Sequence, residues 1–243
     1  MRDWVRSSVM RILGVGAHPD DLEILCAGTL ARCAQRGDQV VMCHVTMGEK
    51  GHFHIPSDEL ARTREQEAKD AARLIGAETI SLGLRDGEVE DNLETQLKFI
   101  DMIRQARPDV IITHSPNDTY HSDHGVVSKL VLDASFHASV PYIQTEHERH
   151  TKVPVIYYME TIVGLDFVPS MYVDITETFE IKKEMLSQHC SQLIWLKEHD
   201  NIDVLDIVET MAKFRGWQCG VKYAEGFNPC LRWPRIVPAR LLP

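Results

Sequence analysis

The stretch from Gln39 to Thr46 is apolar at almost every position: Val40-Val41-Met42-Cys43 and, after His44, Val45. A strand with one wet face alternates apolar and polar residues. A run without that alternation is buried on both faces, the condition of a central strand in a parallel sheet. Parallel neighbours cannot be joined by a tight hairpin, so the chain has to cross over, ordinarily through a helix.

The rest of the chain supplies that rhythm. Met10 to Val15 reads as a first strand. Leu22 to Arg36 reads as a helix apolar on most faces, ended by Gly37-Asp38. After the central run come a two-glycine loop (Met47 to His52), a helix over Ser57 to Ile75 and a short strand over Thr79 to Leu82. Leu93 to Ala106 is amphipathic, with Leu93, Leu97, Ile100 and Ile103 on its core face, and Arg107-Pro108 stops it. Asp109 to Thr113 is the next strand and Gly125 to Ala138 the next helix. Pro154 to Met159 and Met171 to Ile175 are strands, Phe179 to Lys197 a long helix and Val204 to Arg215 a further one. Residues 1–8 read as a polar lead-in or a cloning remnant. The proline-rich tail, Pro229 to Pro243, is expected on the surface or on a partner subunit. No internal repeat, low-complexity tract or linker interrupts the series. The expectation is one domain, 1–243, with a three-layer, mostly parallel α/β architecture.

In open parallel sheets ligands bind beyond the carboxyl ends of the strands. Two of those ends carry unusual chemistry. Ala17-His18-Pro19-Asp20-Asp21-Leu22-Glu23 is a strand-to-helix turn with one imidazole and two adjacent carboxylates; Asp118-Thr119-Tyr120-His121-Ser122-Asp123-His124 follows a second strand. Each alone is ordinary turn chemistry, since Asp caps helices and Pro-Asp makes turns. Together they can converge on one spot. Histidine and aspartate suit zinc, which in catalytic sites takes three protein ligands and keeps a position open. One aspartate of the 20–21 pair can bind metal while the other acts as general base, and a spare histidine can stabilise an oxyanion or donate a proton. Asp123 is placed to fix the tautomer of His121. Arg64 lies in the apolar stripe Leu60, Arg64, Ala68, Ala71, Ile75 and so points inward, toward a site or toward an internal carboxylate.

Composition narrows the class. A formal charge of −10 argues against nucleic acid and anionic membrane as partners. The six cysteines form no Cys-x-x-Cys pair and several sit in apolar runs, which reads as free buried thiols in a reducing compartment. No signal peptide is expected, because the apolar stretch Val9 to Ala17 is short and carries Arg11, and no stretch nears the roughly 20 apolar residues of a membrane span. The expectation is a cytoplasmic protein.

The residues of these turns resemble those of the LmbE-like, or PIG-L, zinc-dependent N-acetylglucosaminyl deacetylases. The resemblance rests on Ala17 to Glu23 and His121-Ser122-Asp123-His124. It extends through Thr46-Met47-Gly48-Glu49, Arg62 to Ala68, Ser191-Gln192 and Tyr223-Ala224-Glu225-Gly226-Phe227. It implies a Rossmann-like fold without a dinucleotide, one Zn2+ per subunit held by His18, Asp21 and His124, and Asp20 as general base and then acid. It further implies His121 as oxyanion stabiliser oriented by Asp123, and Arg64 and Glu49 as substrate contacts. Leu22 stands where the family commonly has an acidic residue, which spares the metal set. The implied partner is a small amino-sugar substrate, with the bacillithiol-type substrate N-acetylglucosaminyl malate one candidate and a non-sugar amide the alternative. The implied assembly is a homo-oligomer, hexamer or trimer.

Three other readings fit less well. Two histidines and a carboxylate also form the facial triad of non-haem iron oxygenases, but those sites sit mostly in β-barrels. A non-catalytic sugar or metal binder would not need Asp20 or His121. Gly14-Val15-Gly16 imitates a dinucleotide fingerprint, yet Pro19-Asp20-Asp21 fills the helix entry and would repel a pyrophosphate. His44, His114 and His137 read as structural or exposed. His52 and His54 are candidates for the substrate mouth, since functional loops follow strand ends.

Overall fold

The computed structural model describes residues 9–237 and 240–243. The expected lead-in at 1–8 and the tail pair 238–239 lie outside the described residues. Seven strands form one sheet: β1 (Arg11–Gly16), β2 (Gln39–Thr46), β3 (Glu78–Leu84), β4 (Val110–Thr113), β5 (Val155–Met159), β6 (Met171–Asp174) and β7 (Ala224–Pro229), in the order β3-β2-β1-β4-β5-β7-β6. The first five pair in parallel and β7 alone runs against its neighbours.

Successive residues of the central strands feed opposite faces, as the pleat requires. Ile12, Val40, Met42, Val110 and Ile112 pack into one core, while Leu13, Val41, Cys43, Val45 and Ile111 pack into the other. The first core is closed by α1 (Asp21–Leu25), α2 (Ala27–Gln35), α6 (Phe179–Ser187) and α8 (Val204–Cys219); the second by α4 (Leu93–Ala106) and α5 (Ser122–His137). The remaining helices are α3 (Ser57–Arg73) and α7 (Cys190–Asp200). This is the three-layer, mostly parallel α/β arrangement expected. Among the described residues no helix is long and apolar enough to cross a membrane.

Four expectations need correction. The helix expected over 22–36 is two helices, broken at Cys26 (φ −147°, ψ 8°). The break gives α2 its own N-terminus, where Gly28 N–H and Thr29 N–H donate to the Glu225 carboxylate at 3.0 and 2.7 Å. That carboxylate also pairs with buried Lys182 Nζ at 2.5 Å. The helix expected over 179–197 likewise splits at His189, which leaves helical backbone (ψ 54°). The third correction concerns the C-terminal region. Residues 224–229 form β7, the reversed strand between β5 and β6. Much of the tail beyond it lies on this chain: Leu242 is buried, Leu241 N–H donates to Tyr157 Oη at 3.3 Å and Arg235 donates to Ser135 Oγ at 2.7 Å. Finally, Leu93 is 71% exposed at the start of α4, so Phe99, Ile100, Met102 and Ile103 carry its core face.

The strand order changes direction at β1. β2 and β3 lie to one side of it, β4 and β5 to the other. The crevice at such a switch point is where doubly wound sheets bind ligands. The His18 turn leaves β1 there, and the 118–124 segment follows β4.

Candidate metal and catalytic site

The turn after β1 is locked at both ends. Asp21 Oδ2 accepts the His18 N–H at 2.7 Å, and Asp21 N–H donates back to His18 O at 3.3 Å. Between them Asp20 holds φ 119°, ψ −24°, a conformation that L residues rarely adopt and that clusters at functional sites. Arg64, inside α3, clamps the turn from below: NH2 donates to Pro19 O at 2.5 Å, NH1 to Gly48 O at 2.9 Å, and NH2 lies 3.4 Å from Asp20 Oδ1. Gly48 has φ +63°, and a Cβ there would lie 2.3 Å from Arg64 NH1, so the guanidinium can lie on this backbone only because residue 48 is glycine.

The segment after β4 supplies the opposite wall. His121 caps α5, its ring Nδ1 accepting the Asp123 N–H at 3.2 Å. His124, one turn on, is buried; its Nδ1 is 2.9 Å from Asp118 Oδ2, and its ring stacks on that of His114 at 4.0 Å. His114 Nε2 accepts the Ala17 N–H at 3.0 Å, tying the two strand ends together.

The two walls meet. Ligand atoms of His18, Asp21 and His124 lie within 4.8 Å of one another. His18 Nδ1 is 3.4 Å from Asp21 Oδ2, and His124 Nε2 is 3.4 Å from Asp21 Oδ1. A four-coordinate zinc with bonds of about 2.0–2.2 Å separates its ligand atoms by roughly 3.3–3.6 Å, so these gaps fit such an ion. Overlapping groups, His18-Asp86-His121-Asp123 and His114-Asp118-His124, are also close enough. The outer carboxylates favour the first group. Asp118 backs His124 Nδ1, while Asp86 Oδ1 and Asp123 Oδ2 face His18 Nε2 at 3.2 and 3.4 Å. Each imidazole thus has a carboxylate behind one nitrogen and turns the other toward Asp21, the pattern that orients metal-binding histidines.

The charges agree with the geometry. Burial works against charge on both rings, yet His18 is raised well above its ordinary value by Asp123, Asp21 and Asp86, and His124 is raised to about 9 by Asp21 and Asp118. Burial pushes the Asp21 carboxyl up, but the His124 and His114 rings hold it well below the usual range. A pocket that draws protons onto two imidazoles carries the negative excess that a cation would replace. Asp20 differs: burial, opposed by Arg64 and helped by Asp21, raises it to about 6. Burial and the His18 charge lower His121.

Two expected roles take a different form. His121 Nδ1 is 3.9 Å from the Asp123 carboxylate, beyond a hydrogen bond. The Asp123 backbone N–H holds that ring, while the carboxylate accepts from Gly87 N–H at 2.8 Å. Arg64 is 2% exposed, and buried Glu49 accepts from Asp86 N–H at 3.1 Å. These two expected substrate contacts are turned inward, where they brace the Asp20 turn and the Asp86 loop.

Sequence reasoning passed over Asp86, Asp118 and His114 in this site, and the fully buried pair His189–Glu23, 3.4 Å apart, beneath it. Asp86 follows the end of β3, and loops after parallel strands were the available signal. His114 closes β4, but no spacing distinguishes it from a core histidine.

The family model described as PIG-L: GlcNAc-PI de-N-acetylase matches residues 13–135. The diacetylchitobiose deacetylase of Thermococcus kodakarensis is 27% identical over 236 residues, covering 91% of this chain and 84% of the relative. Among solved structures, the N,N'-diacetylchitobiose deacetylase from Pyrococcus horikoshii superposes with a TM-score of 0.79 at 26% identity, covering 90% of this chain and 83% of that one. The 4-carboxy-2-hydroxymuconate hydratase from Pseudomonas putida superposes at 0.80 with 22% identity, covering 95% of this chain and 100% of that one, which is a likeness of fold.

Proposed function

The chain belongs to the PIG-L (GlcNAc-PI de-N-acetylase) family, and from that premise we propose that it hydrolyses the N-acetyl amide of an N-acetylglucosaminyl-type sugar, releasing acetate and the free amine. The observation that carries the reading is the convergence of two turns, tied together by the Ala17–His114 hydrogen bond across 97 residues, into one buried cleft with three mutually facing candidate ligands and one further carboxylate.

His18, Asp21 and His124 would hold the metal, which we take to be one zinc ion per subunit. When bound, the ion supplies Lewis-acid polarisation of the amide carbonyl and acidifies a water. Asp20 takes the proton from the attacking water. Its buried carboxylate, with a value of about 6, is ionised at neutral pH and still basic enough to accept it. As the C–N bond breaks, Asp20 returns that proton to the departing amine. His121 keeps its proton on Nε2, because Nδ1 accepts the Asp123 N–H. That N–H donates to the oxygen on which charge develops. Arg64 holds the Asp20 turn, and Glu49 and Asp123 hold the 86–89 loop against it. Asp86 and Asp123 keep His18 turned toward Asp21.

An acetate-release assay over a panel of N-acetylated glycosides, N-acetylglucosaminyl malate included, with and without chelator, tests the reading. Release that chelator abolishes and zinc restores is the expected result. A zinc-loaded protein that releases acetate from none of them, or that instead hydrates 4-carboxy-2-hydroxymuconate, the compound in the fold neighbour's name, would overturn it. We further propose one domain over 1–243, a homo-oligomer (trimer or hexamer), and a cytoplasmic location, supported by cysteines that are all free.

A further inference from the structure

We propose that Phe53, Trp195 and His199 form a stacking platform for the sugar ring linked to the N-acetylated one, which makes the substrate an N-acetylated disaccharide or longer glycoside; this rests on the deacetylase reading above.

The cluster joins the loop after β2 to α7. The Phe53 ring lies 4.2 Å from that of Trp195 and 4.9 Å from that of His199, and Trp195 stacks on His199 at 4.5 Å with 17° between planes. Phe53 is nevertheless 56% exposed. The loop that carries it is built. His52 Nδ1 accepts the N–H groups of His54 and Ile55 at 3.1 and 3.2 Å, and Gly51 fits between Arg64 and Gln192, a Cβ there meeting each at 3.4 Å. Arg64 is the residue that clamps the Asp20 turn, so the platform is fixed to the same support as the reaction centre.

Polar and aromatic groups flank the platform and the cleft. Asp200, paired with His199 Nδ1 at 2.6 Å, ends α7. Tyr120 is 62% exposed, with its ring 6.1 Å from that of His124. Burial raises the Tyr120 hydroxyl, and the carboxylates of Asp200 and Asp20 raise it further.

The chemistry of the surface selects its occupant. A greasy aglycone is served by aliphatic side chains. Here Phe53 is exposed beside the half-buried Trp195, and His52, His199 and Asp200 set polar groups around the two rings. A pyranose has the matching form, with C–H groups on its faces and hydroxyls on its edge. Aromatic side chains with a polar border are the usual way to hold such a body.

The test compares kcat/KM on N,N'-diacetylchitobiose and on N-acetylglucosamine for the zinc-loaded full chain and its Phe53→Ala, Trp195→Ala and Trp195→Phe variants. The alanine variants are expected to lose about tenfold on the disaccharide, through KM, and less than about twofold on the monosaccharide, with Trp195→Phe recovering most of the loss. Equal losses on both sugars would overturn the proposal. So would a larger loss on an alkyl N-acetylglucosaminide, or a changed subunit number by light scattering, which would make the rings an interface between copies. Should the wild-type protein release acetate from neither sugar, the deacetylase reading fails and binding alone decides the platform. Tryptophan quenching by chitobiose that disappears in Trp195→Phe supports it, and quenching that is absent, or unchanged in that variant, overturns it.

Discussion

Asp118 offers the sharpest test of how the cleft is held. Its Oδ2 lies 2.9 Å from His124 Nδ1 and its Oδ1 accepts the Tyr120 N–H at 3.0 Å, with no contact to the proposed metal position. The His114 and His124 rings hold it well below the ordinary carboxylate range despite burial, and His124 is itself raised to about 9. Replacing it removes a charge-assisted hydrogen bond worth about 1.5–3 kcal/mol, or roughly 10–100-fold in affinity. Mutation of such outer partners weakens metal binding by about the same factor. Asp118→Asn keeps one oxygen, which can serve the imidazole N–H while the Tyr120 contact is lost, and loses the charge, so it should sit near the tenfold end. Asp118→Ala loses both contacts and should approach a hundredfold. The assay is competition for zinc against a chromophoric chelator at fixed pH, with circular dichroism to verify folding. Zinc affinity unchanged within twofold in folded Asp118→Ala would refute the argument. So would Asp118→Asn and Asp118→Ala losing equally, since the charge and the contact would then not be separable.

Asp20→Asn should retain zinc and lose at least about 100-fold in turnover; near-wild-type turnover in the loaded variant would exclude the base role. Since Asp20 must be ionised to act, and burial raises it to about 6, kcat/KM should rise with pH along an acidic limb centred at or below that value, because a bound cation can only lower it. A limb centred above 7 would assign the base elsewhere. Glu225→Ala leaves Lys182, 2% exposed, without its counter-charge and uncaps α2, and should cost about 3–5 kcal/mol in urea unfolding, whereas a surface-like effect below about 1 kcal/mol would contradict the packing. With Cys26, Cys33, Cys43 and Cys230 buried and Cys33 pushed up to about 12 by burial, only Cys190 and Cys219 should react with a thiol reagent before denaturation. Fast reaction of a third thiol in the folded protein would count against the described core.

The parallel half of the sheet was legible because its strands are continuous apolar runs and the helices between them repeat at helical spacing. The two reactive turns were legible because His18, Asp20 and Asp21, and His121 and His124, each fall within one short segment. What failed shares a different property. β7 is short, carries Gly226 and buries Glu225, so no alternation marks it. Its role is to cap α2 and pair with Lys182, contacts 197 and 43 residues away in sequence, and the same carboxylate explains why the helix over 22–36 breaks. Asp86 and His114 have nothing local to distinguish them; they matter because β3 and β4 end beside β1. Arg64 was placed correctly on the inward stripe, but its partners are the carbonyls of Pro19 and Gly48, which no residue pattern announces.

The central claim concerns where one ion sits. A crystal of the zinc-loaded protein, with diffraction collected on both sides of the zinc edge, measures that position directly. A single anomalous peak about 2.0–2.2 Å from His18 Nδ1, an Asp21 oxygen and His124 Nε2, with the Asp20 carboxylate outside the coordination sphere, is the predicted result. A peak held instead by Asp86, His121 and Asp123, or no peak in the cleft at all, would contradict it.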